Sequence, residues 1–256
     1  MLKKDSIQYI LAVALALCVV CSVVVSAAAV VLRPAQEANK AADIKRAILA
    51  SAGILKADED VDDQFANVRV RLVNFDTGEF TDQVPLDEYD QRKAADTADL
   101  SENVPDSEDI AKIGRRENYG KVYFADSDKG EVLVLPVRGY GLWSTMYGFV
   151  ALESDYNTVR GIGFYEHGET PGLGGEVDNP RWKAIWDGKH VYGEDGDVAL
   201  QVIKGAVDKS SKDAEYKVDG LSGATLTSRG VSNLIHYWFG ENGYAPLLAQ
   251  LKKGEA

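Results

Sequence analysis

The stretch from Ser6 to Leu32, SIQYILAVALALCVVCSVVVSAAAVVL, contains no charged residue. At about 1.5 Å per residue, a helix of this length crosses the roughly 30 Å apolar core of a bilayer. Ser26-Ala27-Ala28 has the small residues of a signal-peptide cleavage site. The apolar run outlasts a usual signal core, however, and continues through Val30, Val31 and Leu32, which favours an uncleaved anchor. A lipid-modified cysteine fits poorly, because Leu17 precedes Cys18 where a small residue is expected. Lys3 and Lys4 flank the start, and Arg33, Lys40, Lys45 and Arg46 follow the end mixed with Glu37 and Asp43. The short basic N-terminus favours N-in, with the large domain on the outer side. In a bacterium this is a single-pass inner-membrane protein with a periplasmic domain.

The whole chain has 256 residues and a formal net charge of -12, from 40 acidic and 28 basic side chains. That balance argues against a nucleic-acid partner, which needs clustered Lys and Arg. The two cysteines, Cys18 and Cys21, both lie in the apolar run, so no disulfide framework is expected in the soluble part. At i and i+3 they share a helix face. Two readings stand for them: small packing residues, or thiols contributing to a metal site shared with other chains.

Pro34 opens a new helical stretch, and Gln36 to Leu55 reads as a helix leading away from the membrane. Asp58 to Asp63 reads as an acidic loop. Strand patterns follow at 68–75, 121–125, 131–137, 146–152, 159–165 and 198–207, and Pro136 suggests an edge or an end. Residues 87–118 are charged and weakly periodic, helical or an irregular insertion. Trp182 to Trp186 reads as a short helix after Pro180. From Thr225 to Phe239 a helix is predicted, with Val231, Leu234, Ile235 and Trp238 on one face. The fold class is α+β, an antiparallel or mixed sheet with packed helices, preceded by one transmembrane helix. The expected divisions are 1–33, the tip and anchor; 34–119, a membrane-proximal helix and charged region; and 120–256, a glycine-rich domain.

Three glycine-rich segments lie in that last part: Gly139-Tyr-Gly-Leu-Trp143, Glu166-His-Gly-Glu-Thr-Pro-Gly-Leu-Gly-Gly175 and Asp219-Gly-Leu-Ser-Gly-Ala-Thr225. Each alone is also what a tight turn looks like. In the third, small residues leave the Thr225 hydroxyl open at the start of a helix, where unpaired N–H groups and a partial positive charge suit a phosphate. The same position also reads as a helix cap, made by Ser222 or Thr225. There are three histidines, His167, His190 and His236, with no metal-ligand spacing between them. There is no nucleophile elbow, no Walker loop and no dinucleotide fingerprint, so direct NADH binding is not expected.

Together the three segments resemble the FMN-binding domain of the NqrC family, a membrane component of the sodium-translocating NADH:quinone reductases, with a related protein in the Rnf-type electron-transport complexes. The resemblance implies that a flavin transferase esterifies FMN to the Thr225 hydroxyl, with Asp219, Ser222, Gly223 and Ala224 as the recognition segment. It further implies that Leu142, Trp143, Glu169, Thr170, Gly172, Leu173 and Gly174 surround the flavin, and that residues 120–256 are the FMN-binding domain. The chain would then be an electron carrier, not catalytic alone, among other membrane subunits. The longer soluble part, from the charged region at about 58–118, favours the NADH:quinone reductase over the Rnf-type complex. A membrane-anchored binding or assembly protein without redox chemistry is the reading from another class.

Overall fold

The computed structural model of the chain describes residues 6–254. The apolar run lies in α1 (Ile7–Ser51), a single helix of 45 residues with Pro34 inside it. The break expected at Pro34 is absent: an interior proline forfeits one i→i−4 hydrogen bond, and the Ala-, Gln- and Lys-rich sequence after it carries the helix on. The chain forms two compact units that meet between Asp43 and Ile44. In the first, the Leu and Val side chains of the apolar window are exposed, which fits a single-pass membrane anchor.

The second unit contains α2 (Val61–Phe65), β1 (Arg69–Asn74), β2 (Phe80–Thr81), α3 (Gln91–Ala95), β3 (Ser101–Asn103), β4 (Arg115–Glu117), β5 (Tyr119–Ser127), β6 (Gly130–Tyr140), β7 (Thr145–Leu152), β8 (Val159–Glu166), α4 (Pro180–Ala184), β9 (Gln201–Val202), β10 (Lys217–Val218), α5 (Thr225–Trp238) and α6 (Ala245–Lys253). An antiparallel sheet in the order β2-β1-β5-β6-β7-β8 is its centre. β3 and β4 pair antiparallel, and β9 and β10 pair parallel. The fold is α+β. No break in the sheet corresponds to the division expected near residue 119, because β1 pairs with β5 from Arg69↔Phe124 to Asn74↔Tyr119. The stretch 87–118 is ordered: Arg92 of α3 grips Glu166 at the end of β8 through two hydrogen bonds, 2.7 and 3.0 Å. The acidic loop expected at 58–63 becomes α2 from Val61, with Asp60 accepting the Asp62 N–H at its start. Of the strand expected at 198–207, Gln201–Val202 forms a strand and Val198 makes a single bridge to Tyr192, and Gly205 turns the chain at φ +83°.

Val132-Leu-Val-Leu135 is apolar without alternation because β6 is covered on both faces. Leu133, Leu135 and Val137 join Val231, Leu234 and Trp238 of α5 in one core. Val132 and Val134 join Ile48, Leu49 and Ala52 in the other. Each Val, Leu or Ile among them contributes about 1.5–3 kcal/mol relative to exposure. The end of α1 reaches the sheet over glycines: a Cβ on Gly161 would lie 2.6 Å from the Ser51 carbonyl oxygen.

Pro136 lies in an interior strand, yet the local expectation of an end has a basis. β5 leaves β6 after Tyr123↔Val134, while β7 continues alongside to Tyr140. The vacated edge is taken by other donors and acceptors. The Tyr244 hydroxyl donates to the Pro136 carbonyl (2.9 Å), Trp238 Nε1 donates to that of Arg138 (2.7 Å), and the Tyr140 N–H donates to that of Ala111 (2.8 Å). Pro136 therefore costs no ladder bond. These bonds fix α5 beside the last half of β6, where the first glycine-rich segment begins.

Candidate functional site

The third glycine-rich segment is a tied loop ending in a helix. The Asp219 carboxylate accepts the Val207 N–H (2.8 Å), its carbonyl accepts Trp182 Nε1 (2.8 Å), and the Gly220 N–H donates to Gly205 (2.8 Å). Asp219 thus holds this loop to the one after β9. Gly223 turns the chain at φ +72°. Ala224 occupies the cap position of α5 and no side chain caps the helix. The capping role open to Ser222 or Thr225 is therefore unused. Thr225, first residue of α5, is exposed, beside N–H groups that have no helical acceptor. Two hydroxyls of the first helical turn are committed elsewhere. Ser228 is buried and accepts the Leu221 N–H (3.0 Å), and Thr227 is fully buried.

The Thr227 hydroxyl donates to Glu169 Oε2. Glu169 Oε1 accepts the N–H groups of Leu142 (2.9 Å) and Trp143 (3.0 Å). One carboxylate, only 5% exposed, thereby joins the first two glycine-rich segments to α5, two residues past Thr225. Burial by itself raises its pKa. The hydrogen bonds from Thr227, Trp143 and Leu142 outweigh burial and hold it below the ordinary glutamate value. The glycines make room for this contact: a Cβ on Gly174 would lie 2.5 Å from both Glu169 Oε2 and Thr227 Oγ1, and one on Gly141 2.5 Å from Glu169 Oε1. Glu169, expected among residues facing a ligand, points into the protein. The contact between Thr227 and Glu169 was not legible in the sequence, since a threonine inside a helix carries no local signal of a partner 58 residues away.

Around this staple the surface is apolar and open. Leu142, Trp143, Leu173 and Leu226 are 38%, 64%, 45% and 51% exposed. Thr170 is exposed, and its carbonyl accepts the N–H groups of Leu173 (3.1 Å) and Gly175 (2.9 Å), closing the loop through Gly172 at φ +76°. His167 fixes the same loop, its Nε2 2.7 Å from Asp178 Oδ2 and its Nδ1 3.1 Å from the Glu169 N–H. His190 lies 3.6 Å from Glu215. His236 is half-buried, and burial lowers its pKa against a hydrogen bond with the Leu200 backbone. Cys18 and Cys21 are exposed on α1, and among the described residues no group of three metal-ligating side chains occurs.

An exposed hydroxyl at an uncapped helix start suits a phosphate, and four exposed apolar side chains beside it suit a flat aromatic ring. These residues fit FMN. The profile of the FMN-binding domain matches residues 141–240. The NqrC protein of Pseudomonas aeruginosa, a component of the Na(+)-translocating NADH-quinone reductase, is 52% identical over 262 aligned residues, with all of both chains covered. The chain belongs to the NqrC family. The Vibrio alginolyticus NqrC is 46% identical, over 99% of this chain and 98% of that one. The crystal structure of Shewanella oneidensis NqrC superposes with a TM-score of 0.77 at 38% identity, over 84% of this chain and 99% of that one. An NqrC structure from Parabacteroides distasonis gives a TM-score of 0.66 at 27% identity, over 85% of this chain and 96% of that one.

Proposed function

We propose that this chain is the membrane-anchored FMN subunit of a Na(+)-translocating NADH:quinone oxidoreductase, with FMN esterified to Thr225. The observation that carries the proposal is the Glu169 staple, which ties the first two glycine-rich segments to α5 two residues past an exposed Thr225. A flavin transferase is the partner during maturation. The Thr225 oxygen bonds to the phosphorus of the FMN half of FAD, the bond from that phosphorus to the AMP half breaks, and the hydroxyl proton is lost. When bound, the flavin takes up and gives out electrons singly or in pairs.

The chain's own residues hold and surround it. Thr225 anchors the phosphate, the start of α5 offers it N–H donors, and Leu142, Trp143, Leu173 and Leu226 give the ring an apolar surface. Thr170 offers a polar group at its edge. Glu169 acts indirectly, by setting where these residues stand. A tether suits a relay, because the carrier stays at fixed distance from its neighbours. Electrons pass to and from the other membrane subunits, and sodium movement belongs to the whole complex, since the described residues supply one apolar span. The domain stands on the periplasmic side, consistent with Lys3 and Lys4 ahead of the span.

The test is the intact mass of the purified chain. One FMN ester is expected, giving a fluorescent band that survives denaturation. Thr225→Ala removes both and leaves the fold intact. Flavin still attached in that variant would refute the assignment, and neither Thr227 nor Ser228 is exposed to replace it.

A further inference from the structure

Thr225 also borders a cleft of about 830 Å³ that none of Leu142, Trp143, Glu169 or Leu173 lines. One wall is a polar stripe of α5, Thr225, Arg229, Ser232 and His236, at i, i+4, i+7 and i+11. The other wall is β9 and the loop through Lys204. That loop is fixed to the Thr225 segment by the Gly220–Gly205 and Val207–Asp219 hydrogen bonds, and β9 is fixed to the helix by Ser232, whose Oγ accepts the Val202 N–H at 2.9 Å. The cleft is thus preformed.

Its charge runs against that of the molecule. The chain carries -12 overall, yet the cleft presents Arg229 and Lys204 and a single carboxylate, Asp219, which already accepts an N–H. Among the described residues, neither cation has an ion-pair partner. His236, its pKa lowered by burial, adds no fixed positive charge. Two unpaired cations in a preformed cleft, beside an uncapped helix start, form an electrostatic site for an anion.

We propose that this cleft is an organophosphate subsite in which Arg229 and Lys204 hold the phosphoryl charge of the flavin, while the apolar surface takes the ring. The subsite rests on FMN being the cofactor. It adds a division of labour: the attachment threonine stands between a cationic cleft and an apolar face. It also explains why an acidic domain accepts an anionic cofactor.

FMN and riboflavin differ only in the phosphate, so their comparison isolates the subsite. The full chain carrying Thr225→Val, which cannot form the ester, is purified in detergent and titrated with each flavin by fluorescence quenching. FMN is expected to bind more tightly than riboflavin by about tenfold, and added salt should weaken that preference. Arg229→Gln with Lys204→Gln should reduce it by about five- to tenfold without changing riboflavin affinity. Arg229→Lys with native Lys204 should keep most of it. Both positions lie at the protein surface, and circular dichroism confirms folding in each variant. Equal affinity for the two flavins, a preference unchanged in the double variant, or no binding of either overturns the subsite. The mass of the chain with native Thr225 is read separately. An FMN ester there, with no FMN preference in the titration, refutes the subsite and leaves the attachment standing. A preference without an ester refutes the attachment and leaves the subsite.

Discussion

Replacing Glu169 by alanine removes the acceptor that ties the first glycine-rich segment and α5 to the second. Three donors lose their partner: the N–H groups of Leu142 and Trp143 and the Thr227 hydroxyl. Leu142 and Trp143 are exposed enough for water to reach. Thr227 is fully buried, so its hydroxyl bears the desolvation penalty of an unmade bond, about 1–3 kcal/mol. Adding the lost charge-assisted bonds, and crediting the relief of no longer burying a carboxylate, gives a loss of about 3–5 kcal/mol. Glutamine keeps the shape. Its carbonyl oxygen accepts from Leu142 and Trp143, and its amide donates to Thr227 Oγ1, so the loss is charge assistance alone, about 1–2 kcal/mol. The pH dependence has a definite sign. The folded pKa of Glu169 lies below the ordinary 4.5, so its stabilisation is complete above the unfolded value and is lost as pH falls through the folded one. Glu169→Gln should remove this component and flatten the stability profile on the acid side. The assay is urea unfolding of the full chain in detergent, followed by tryptophan fluorescence at neutral and acid pH. An alanine variant within about 0.5 kcal/mol of wild type, a glutamine variant as damaged as alanine, or identical acid profiles for wild type and glutamine would refute the reasoning.

Gly174→Ala places a Cβ against Glu169 and Thr227; it should cost about 1–3 kcal/mol in unfolding midpoint and lower the FMN ester seen by mass. Gly172→Ala meets open space at φ +76° and should cost only about 1–2 kcal/mol of backbone strain, with loading preserved. Glu117→Ala should cost roughly 3–5 kcal/mol in denaturant, because Arg138, 2.6 Å away and 12% exposed, is left buried without its charge partner. Gly161→Val presses on the Ser51 carbonyl and should lower the thermal midpoint, at a cost of about 1–3 kcal/mol.

Elements held by short-range patterning were legible in the sequence. α5 follows from Val231, Leu234, Ile235 and Trp238, all buried, and β5 to β8 follow from their apolar strands. The stretch 87–118 was not, because three of its charges are satisfied by residues outside it: Arg92 by Glu166, Arg116 by Asp76 and Glu117 by Arg138. No window of sequence contains both halves of such a pair. Pro34 misled for the opposite reason, since a local rule about proline was overruled by the helix-forming residues around it. α6 is short, and only Leu247 and Leu248 are buried firmly enough to mark it.

The candidate site divides along the same line. Thr225 stood out because small residues surround it at a helix start, a local property. Glu169 reads in sequence as a loop carboxylate offered to a ligand. Its actual direction depends on residues 142, 143 and 227 arriving from other parts of the chain. That inward turn has a functional consequence. The exposed apolar residues beside Glu169 are held by their backbones, through the N–H groups of Leu142 and Trp143 and the turn at Leu173. Their side chains are thus positioned without being buried. A site fixed by side-chain packing would bury the surface a flat ring needs, and a flexible loop would bear the entropy of ordering each time the ring docked. Fastening the backbone to an internal carboxylate avoids both, and leaves a preformed apolar face for a flat ring.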